Sequence, residues 1–388
     1  MAASYDIVII GAGPAGLAAT RSITSTSGAP SVLLVDKTTP WKHPIPCAEG
    51  VFCPQFHQVV KPHEDWIRFV VDKATFHAPD GSTITYQDAN KGYIINRARM
   101  QKDLADECAQ NGAECRLGKR VTDVGPWDST GQRSVRFDDG GSVTARVVID
   151  CSGPLSSFGK GEPIHSKAMD LEVAYLAHVR FVAVETDTVH IYAGKNVAPG
   201  GYAWAFPRGK RSMNVGVIVG SPFRGTTNVQ RLLEKFIKEQ FPASTLERSF
   251  AGTIPCTFAR RPLATGGLIK AGDAASTVNP ISRAGISEAM MSGVMAGTCA
   301  CAMLAAATKK EMTAVCRDYE KAWHEKRGRH FAKLAKVKHS LAKVPDSDYN
   351  ASAASLSGIP RDKLTMSKIF AVSLARFPRL VWALRHVL

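Results

Sequence analysis

The sequence predicts an α/β fold: a parallel sheet split by an inserted antiparallel sheet and followed by a helical C-terminal region. Three observations predict it. Gly11-Ala12-Gly13-Pro14-Ala15-Gly16 joins an apolar run, Tyr5–Ile10, to a small-residue segment beginning Leu17-Ala18-Ala19. A late run, Leu268-Ile269-Lys270, ends in Ala271-Gly272-Asp273 and leads into a second small-residue helix over about 285–307. Between them, short runs of period two indicate strands over about 173–184, 188–192, 201–207 and 213–219.

The glycine loop has the spacing of a Rossmann-type dinucleotide site. Gly11 permits the tight turn, Gly13 lets backbone approach a diphosphate, and Gly16 lets helix pack on strand. Leu17-Ala18-Ala19-Thr20 then begins the helix, whose N-terminal amides favour phosphate, and Pro14 and Ala15 within the loop are expected at the cofactor. The next strand, Ser31–Val35, ends in Asp36-Lys37, where an acid is expected to hold a ribose hydroxyl. Pairing this loop with the late Gly272-Asp273 points to a flavin, FAD, bound from both ends of the fold.

Further elements follow in order. Residues 38–60 form a long loop containing Cys47-Ala48-Glu49-Gly50, and long loops inside compact domains are more often functional than idle. Asp80-Gly81 signals a hairpin across about 74–86. Tyr93–Arg97 leads into a helix over about 98–111, with Met100, Leu104 and Cys108 on one face and Gly112 as its stop. Val147–Asp150 delivers Cys151-Ser152-Gly153 to a strand end, where α/β sheets present ligands. Val229–Gln240 reads as an amphipathic helix. These divide the chain into a discontinuous FAD-binding domain (1–71, 93–170, 256–308), a substrate domain (72–92, 171–255) and a basic helical region (309–388).

Composition narrows the function class. With 45% hydrophobic and 21% charged residues over 388 positions, the chain has room for two packed units. No apolar run reaches the roughly 18 residues of a membrane span, and no signal peptide is expected before the first strand. Nine cysteines lie without paired metal-ligand spacing, so no metal site and a reducing, cytoplasmic setting are expected. The net charge is +15, and from Lys309 onward there are seventeen Lys/Arg against seven Asp/Glu. Nothing resembles a nucleic-acid motif, so the basic excess suits an anionic surface or a phosphorylated substrate. Over 368–388, apolar residues alternate with Lys368, Arg376, Arg379 and Arg385, a pattern suited to the inner face of a membrane.

Together the Gly11–Gly16 loop, Asn96-Arg97 with Met100 and Leu104, Pro199–Pro207, and Gly272-Asp273 through Gly285 resemble the geranylgeranyl reductase family, within the para-hydroxybenzoate hydroxylase-like flavoproteins. The discriminating stretch is Pro199-Gly200-Gly201-Tyr202-Ala203-Trp204-Ala205-Phe206-Pro207, a complete PxxYxWxFP. On a strand, Tyr202, Trp204 and Phe206 share one face and form an apolar wall; the resemblance implies that they and Pro207 bind a polyisoprenoid. It also implies that Cys47 and Ala48 lie beside the flavin, that Arg97 contacts FAD phosphate or ribose, that Gly153, Gly285 and Ile286 line the cofactor, and that isoprenoid double bonds are reduced. Cys47 and Tyr202 are both candidate proton donors. The electron donor is open between NAD(P)H and a ferredoxin. A monooxygenase or halogenase on the same fold, and a non-enzymatic isoprenoid binder, are the rival readings. One departure stands out. The family's Pro-x-x-Gly-Gly-Gly-Ile reads Pro280-Ile281-Ser282-Arg283-Ala284-Gly285-Ile286 here, so Arg283 is expected to tune the flavin or pair with a phosphate.

Overall fold

The structure, a computed structural model, describes residues 3–25, 28–164, 170–180, 183–257, 262–359, and residues 364, 369 and 372. Strand β1 (Ala3–Ile10), helix α1 (Pro14–Thr24) and β2 (Val32–Asp36) form the opening unit. After β3 (Gly50–Phe52) and the short α2 (Cys53–His57), a long hairpin of β4 (Ile67–His77) and β5 (Thr83–Ile95) leads to α3 (Arg97–Gln110). Next come β6 (Glu114–Leu117), β7 (Val121–Val124), β8 (Arg133–Phe137) and β9 (Ser142–Asp150). The inserted segment carries β10 (Leu171–Arg180), β11 (Thr188–Tyr192), β12 (Tyr202–Gly209), β13 (Ser212–Val219), α4 (Val229–Gln240) and β14 (Thr245–Pro255). The chain returns through β15 (Ala264–Thr265) and β16 (Leu268–Lys270) to α5 (Ile286–Ala305), α6 (Lys309–Trp323), α7 (Arg329–Leu341) and α8 (Asp346–Ser357).

Two sheets result. The first runs β15-β16-β9-β1-β2-β6, with β7 and β8 continuing antiparallel from β9. Its β6, β2, β1, β9 and β16 are parallel neighbours, so the ends of β1, β9 and β16 open on one edge. The second runs β14-β10-β13-β12-β11-β4-β5-β3. The expected division at residues 71/72 and 92/93 needs correction. Those positions fall inside β4 and β5, and β3 also belongs to the second sheet. One ladder from Ile67 to His77 pairs with Thr83–Ile95, with register shifts between Ile67 and Phe69 and between Val71 and Lys73, and the short turn signal at Asp80-Gly81 gave no indication of its length.

The core agrees with the periodicities. Met100, Leu104 and Cys108 are buried with Leu17, Ile23 and Met290. Helix α5 is long and apolar enough to cross a bilayer. Here it packs on α1, closely enough that a Cβ on Gly293 would meet the Ala15 carbonyl oxygen at 2.1 Å. Of the interfacial stretch expected over 368–388, only Ile369 and Val372 fall among the described residues; both pack against Ile84, Ala353, Leu356 and Leu364.

Candidate active site

One cavity of about 1080 Å³ connects the edge of the first sheet to the face of the second. Its first half is a cradle. Gly11 has φ +107, and a Cβ there would lie 2.3 Å from the Cys151 carbonyl oxygen; one on Gly16 would lie 1.8 Å from the Gly11 carbonyl oxygen. These two glycines therefore serve the fold. Gly13 differs: its φ is −78 and a Cβ would meet no atom within 4 Å. The space above it is left for something outside the chain, at the N-terminus of α1, as a diphosphate requires.

The expected cofactor residues gather around that space. Gly11, Gly13, Pro14, Ala15, Asp36, Lys37, Cys47, Ala48, Arg97, Gly153, Gly272, Asp273, Gly285 and Ile286 all line the cavity; Gly16 lies behind it. Asp36 already accepts from the Ala12 N–H at 2.8 Å, and from the Thr38 N–H and hydroxyl at 2.8 and 3.0 Å. Its first role is thus to pin the glycine loop, and about one of a carboxylate's four lone-pair sites stays free for a ribose. Arg97 opens α3 and donates from Nε to Gln101 Oε1 at 2.8 Å, while Gln101 donates to the Ala12 carbonyl at 3.3 Å. Gln101 is fully buried and links the arginine to the loop. Its four-residue spacing from Arg97 was the signal that marks it.

Asp273 completes the cradle. Among the described residues none donates a hydrogen bond to its carboxyl, and burial lifts it to about 6 against the opposing pull of Arg97. A buried acceptor with no hydrogen-bond donor among the described residues, beside the Gly13 cradle, suits a flavin's hydroxyl-bearing chain. The sign of its pH effect is determined. A carboxyl protonated more easily when folded stabilises at low pH and loses that contribution as pH rises from about 4 to about 6. In cofactor-free protein Asp273→Asn is expected to flatten this fall, measured as melting temperature between pH 4 and 7.

The second half is apolar. Tyr202, Trp204 and Phe206 on β12 line the cavity with Ala174, Leu176 and Ile218. Ala203 and Ala205, with the opposite parity, pack under α4. Pro207 shares that opposite parity and is absent from the cavity wall, which corrects its expected contact with substrate: period two turns it away. Trp204 lies flat across its cross-strand partner Gly216, where any Cβ would meet the indole at 2.1 Å. The long loop supplies the facing wall through Pro44, Pro46, Cys47 and Ala48.

The two candidate proton donors stand in different settings. Tyr202 donates its hydroxyl proton to the Ser282 carbonyl at 2.6 Å, and burial pushes it up to about 12. Cys47 lines the cavity, and its Sγ accepts from the Glu49 N–H at 3.3 Å.

Arg283, expected to tune the flavin or pair with a phosphate, lines the cavity with its guanidinium already paired inside the protein. Its guanidinium is engaged bidentately by Glu172, with Nε to Oε2 at 2.9 Å and Nη2 to Oε1 at 3.1 Å, and also donates to the Ile281 carbonyl. Lys338 of α7 meets the same carboxylate at 2.6 Å and Asp170 at 2.6 Å. Glu172 neutralises the arginine within the protein, and the guanidinium lies 5.1 Å from the Tyr202 ring centre, where it supports the aromatic wall. Sequence reasoning missed Glu172 and Lys338 because neither carries a local motif.

Comparison with known proteins agrees with this geometry. The family described as geranylgeranyl reductase catalytic domain matches residues 170–252, and that described as lycopene cyclase protein matches residues 6–188. A digeranylgeranylglycerophospholipid reductase of Methanosphaerula palustris is 30% identical, covering 99% of this chain and 98% of its own length. The protein of that name from Methanocella arvoryzae is 29% identical, with 98% of each covered. Among solved structures, a geranylgeranyl bacteriochlorophyll reductase-like protein of Thermoplasma acidophilum superposes with a TM-score of 0.87 at 24% identity over 100% of both chains. The myxobacterial chondrochloren halogenase, FAD-dependent, gives 0.66 at 16% identity over 96% of this chain and 97% of its own. With the cradle, the aromatic wall and full-length similarity in agreement, this chain belongs to the geranylgeranyl reductase family of flavoproteins.

Proposed function

We propose that the protein binds FAD and reduces the isolated double bonds of geranylgeranyl chains carried on a phospholipid. The single observation that carries this is the continuity of the cavity. A dinucleotide cradle at Gly13 and Asp273 opens directly onto a wall of Tyr202, Trp204 and Phe206. A long apolar chain fits such a wall, and a diphosphate fits such a cradle. The relatives' names give the lipid class, and the FAD-dependent halogenase shares the fold.

When bound, FAD supplies a hydride equivalent to one alkene carbon; the chain must supply a proton to the other. The apolar wall excludes water and holds the alkene in a fixed orientation, which is where positioning lowers the barrier. Partial positive charge developing on the alkene meets the faces of Tyr202 and Trp204. Cys47 is the proton donor in this reading, transferring the proton from Sγ. Cys47 lines the cavity, whereas the Tyr202 proton is committed to the Ser282 carbonyl. Tyr202 instead anchors the wall to the 279–285 loop.

The test is anaerobic. Reduced holoenzyme is offered a geranylgeranylated phospholipid, geranylgeranyl diphosphate and menaquinone, and products are weighed. A gain of two hydrogens per double bond with the phospholipid is expected; no gain with any of the three defeats the reading. Cys47→Ala is expected to lower turnover about 10²- to 10⁴-fold, the range of a lost general acid, with flavin absorbance retained.

A further inference from the structure

The aromatic wall and the cysteine loop are joined by one buried side chain outside both motifs. Asn214 on β13 is 1% exposed. Its Oδ1 accepts from Trp204 Nε1 at 3.0 Å, and its Nδ2 donates to the Cys47 carbonyl at 2.7 Å. The amide orientation is fixed by chemistry: an indole N–H only donates and a carbonyl only accepts. Asn214 thus reads one partner through each end.

The surroundings are built to hold it. On the cavity face of β13 the residues alternate Asn214, Gly216, Ile218, opposite Phe206, Trp204 and Tyr202. Gly216 leaves the room in which the indole lies flat, and that pose brings Nε1 to the amide. The Cys47 segment belongs to a loop with little regular structure: between the turn at Pro40–Lys42 and β3 there is neither helix nor strand. Its backbone needs an external tether, and the Asn214 bond crosses 167 residues to provide one.

We propose that Asn214 is a positioning residue: through the Cys47 carbonyl it fixes where the thiol sits relative to the aromatic wall. This rests on Cys47 facing the reacting alkene, as in the function proposed above. Leucine at this position removes both bonds. Aspartate is the sharper change, because it keeps an acceptor for Trp204 and presents a second oxygen to the Cys47 carbonyl, where a donor is required.

The experiment uses FAD-loaded full-length Asn214→Asp and Asn214→Leu proteins. The first readout is iodoacetamide alkylation at the Cys47 peptide, quantified by mass spectrometry against Cys115 as internal reference. A change of about fivefold or more in the Cys47-to-Cys115 ratio is expected, with flavin absorbance unchanged, as for a thiol whose access has altered. The second is turnover, expected to fall about tenfold in kcat with KM within about twofold, as when an interaction acts on the chemical step. In a Cys47→Ala background the Asn214→Asp effect on kcat is expected to vanish, because the two act as a unit. An unchanged alkylation ratio in both variants overturns the proposal, as does an undiminished Asn214→Asp effect without the thiol. If Cys47→Ala alone leaves turnover intact, the proton-donor reading fails, and the alkylation ratio still decides the positioning role. Should Asn214→Asp fail to accumulate, Asn214→Leu carries the same comparison.

Discussion

Glu172→Ala is expected to destabilise the protein by about 3–5 kcal/mol, the cost of stripping a buried charge of its partner. Glu172 is completely buried and accepts from both Arg283 and Lys338. Without it, the described hydrogen-bond partners left to the Arg283 guanidinium are carbonyls, Ile281 and a long contact to Gly200. Lys338 retains Asp170, so the arginine bears most of the loss. The consequence reaches the site, since Arg283 supports the Tyr202 ring and its neighbour Ser282 takes the Tyr202 hydroxyl. Equilibrium urea unfolding measures the effect. Restoring glycine at the arginine position, as Glu172→Gln/Arg283→Gly, is expected to recover part of it. That double variant removes the stranded charge and relieves the φ of +57 at Arg283, a left-handed conformation costing roughly 1–2 kcal/mol outside glycine. A double variant no more stable than Glu172→Ala means that the penalty lies in packing rather than in the unpaired charge.

What was legible in the sequence follows the range of the interactions. The glycine loop was readable because its turn, its helix start and Asp36 are set by residues close in sequence. The aromatic face was readable because period two fixes which side Tyr202, Trp204 and Phe206 occupy. The same rule places Pro207 on the other side, so extending the motif's role to its last residue overrode the geometry. Arg283 was visible as a departure, but its meaning depends on Glu172, 111 residues away. Asn214 carried no signal at all, since a lone asparagine within an apolar strand acquires its role only when β12 and the cysteine loop are brought together. The basic excess after Lys309 also divides on folding. Lys338 enters the buried network, so the C-terminal region is partly a structural brace against β10 rather than only a charged surface.

The second large effect concerns ligand retention. Gly13→Val is expected to weaken flavin binding by about 5- to 150-fold, equivalent to the roughly 1–3 kcal/mol of forcing extra methyl groups into a filled space. The cofactor-free fold should be nearly unaffected. Gly13 has an ordinary backbone conformation, and a Cβ there touches no atom of the chain. Gly16→Val provides the contrast: its Cβ would overlap the Gly11 carbonyl, so that variant should lose stability with or without flavin. The two glycines of one loop are therefore expected to separate, one reporting on the ligand and the other on the fold. Flavin titration by fluorescence quenching and thermal melting of the cofactor-free proteins measure the two arms. If Gly13→Val melts as early as Gly16→Val, the space above Gly13 is filled by the protein itself. If it binds flavin as tightly as the parent chain, the diphosphate does not lie over α1. The outcome predicted here is a normal melt with a weakened titration, which would place the dinucleotide's charged centre at the N-terminus of α1, with the rest of the cavity left for the substrate chain.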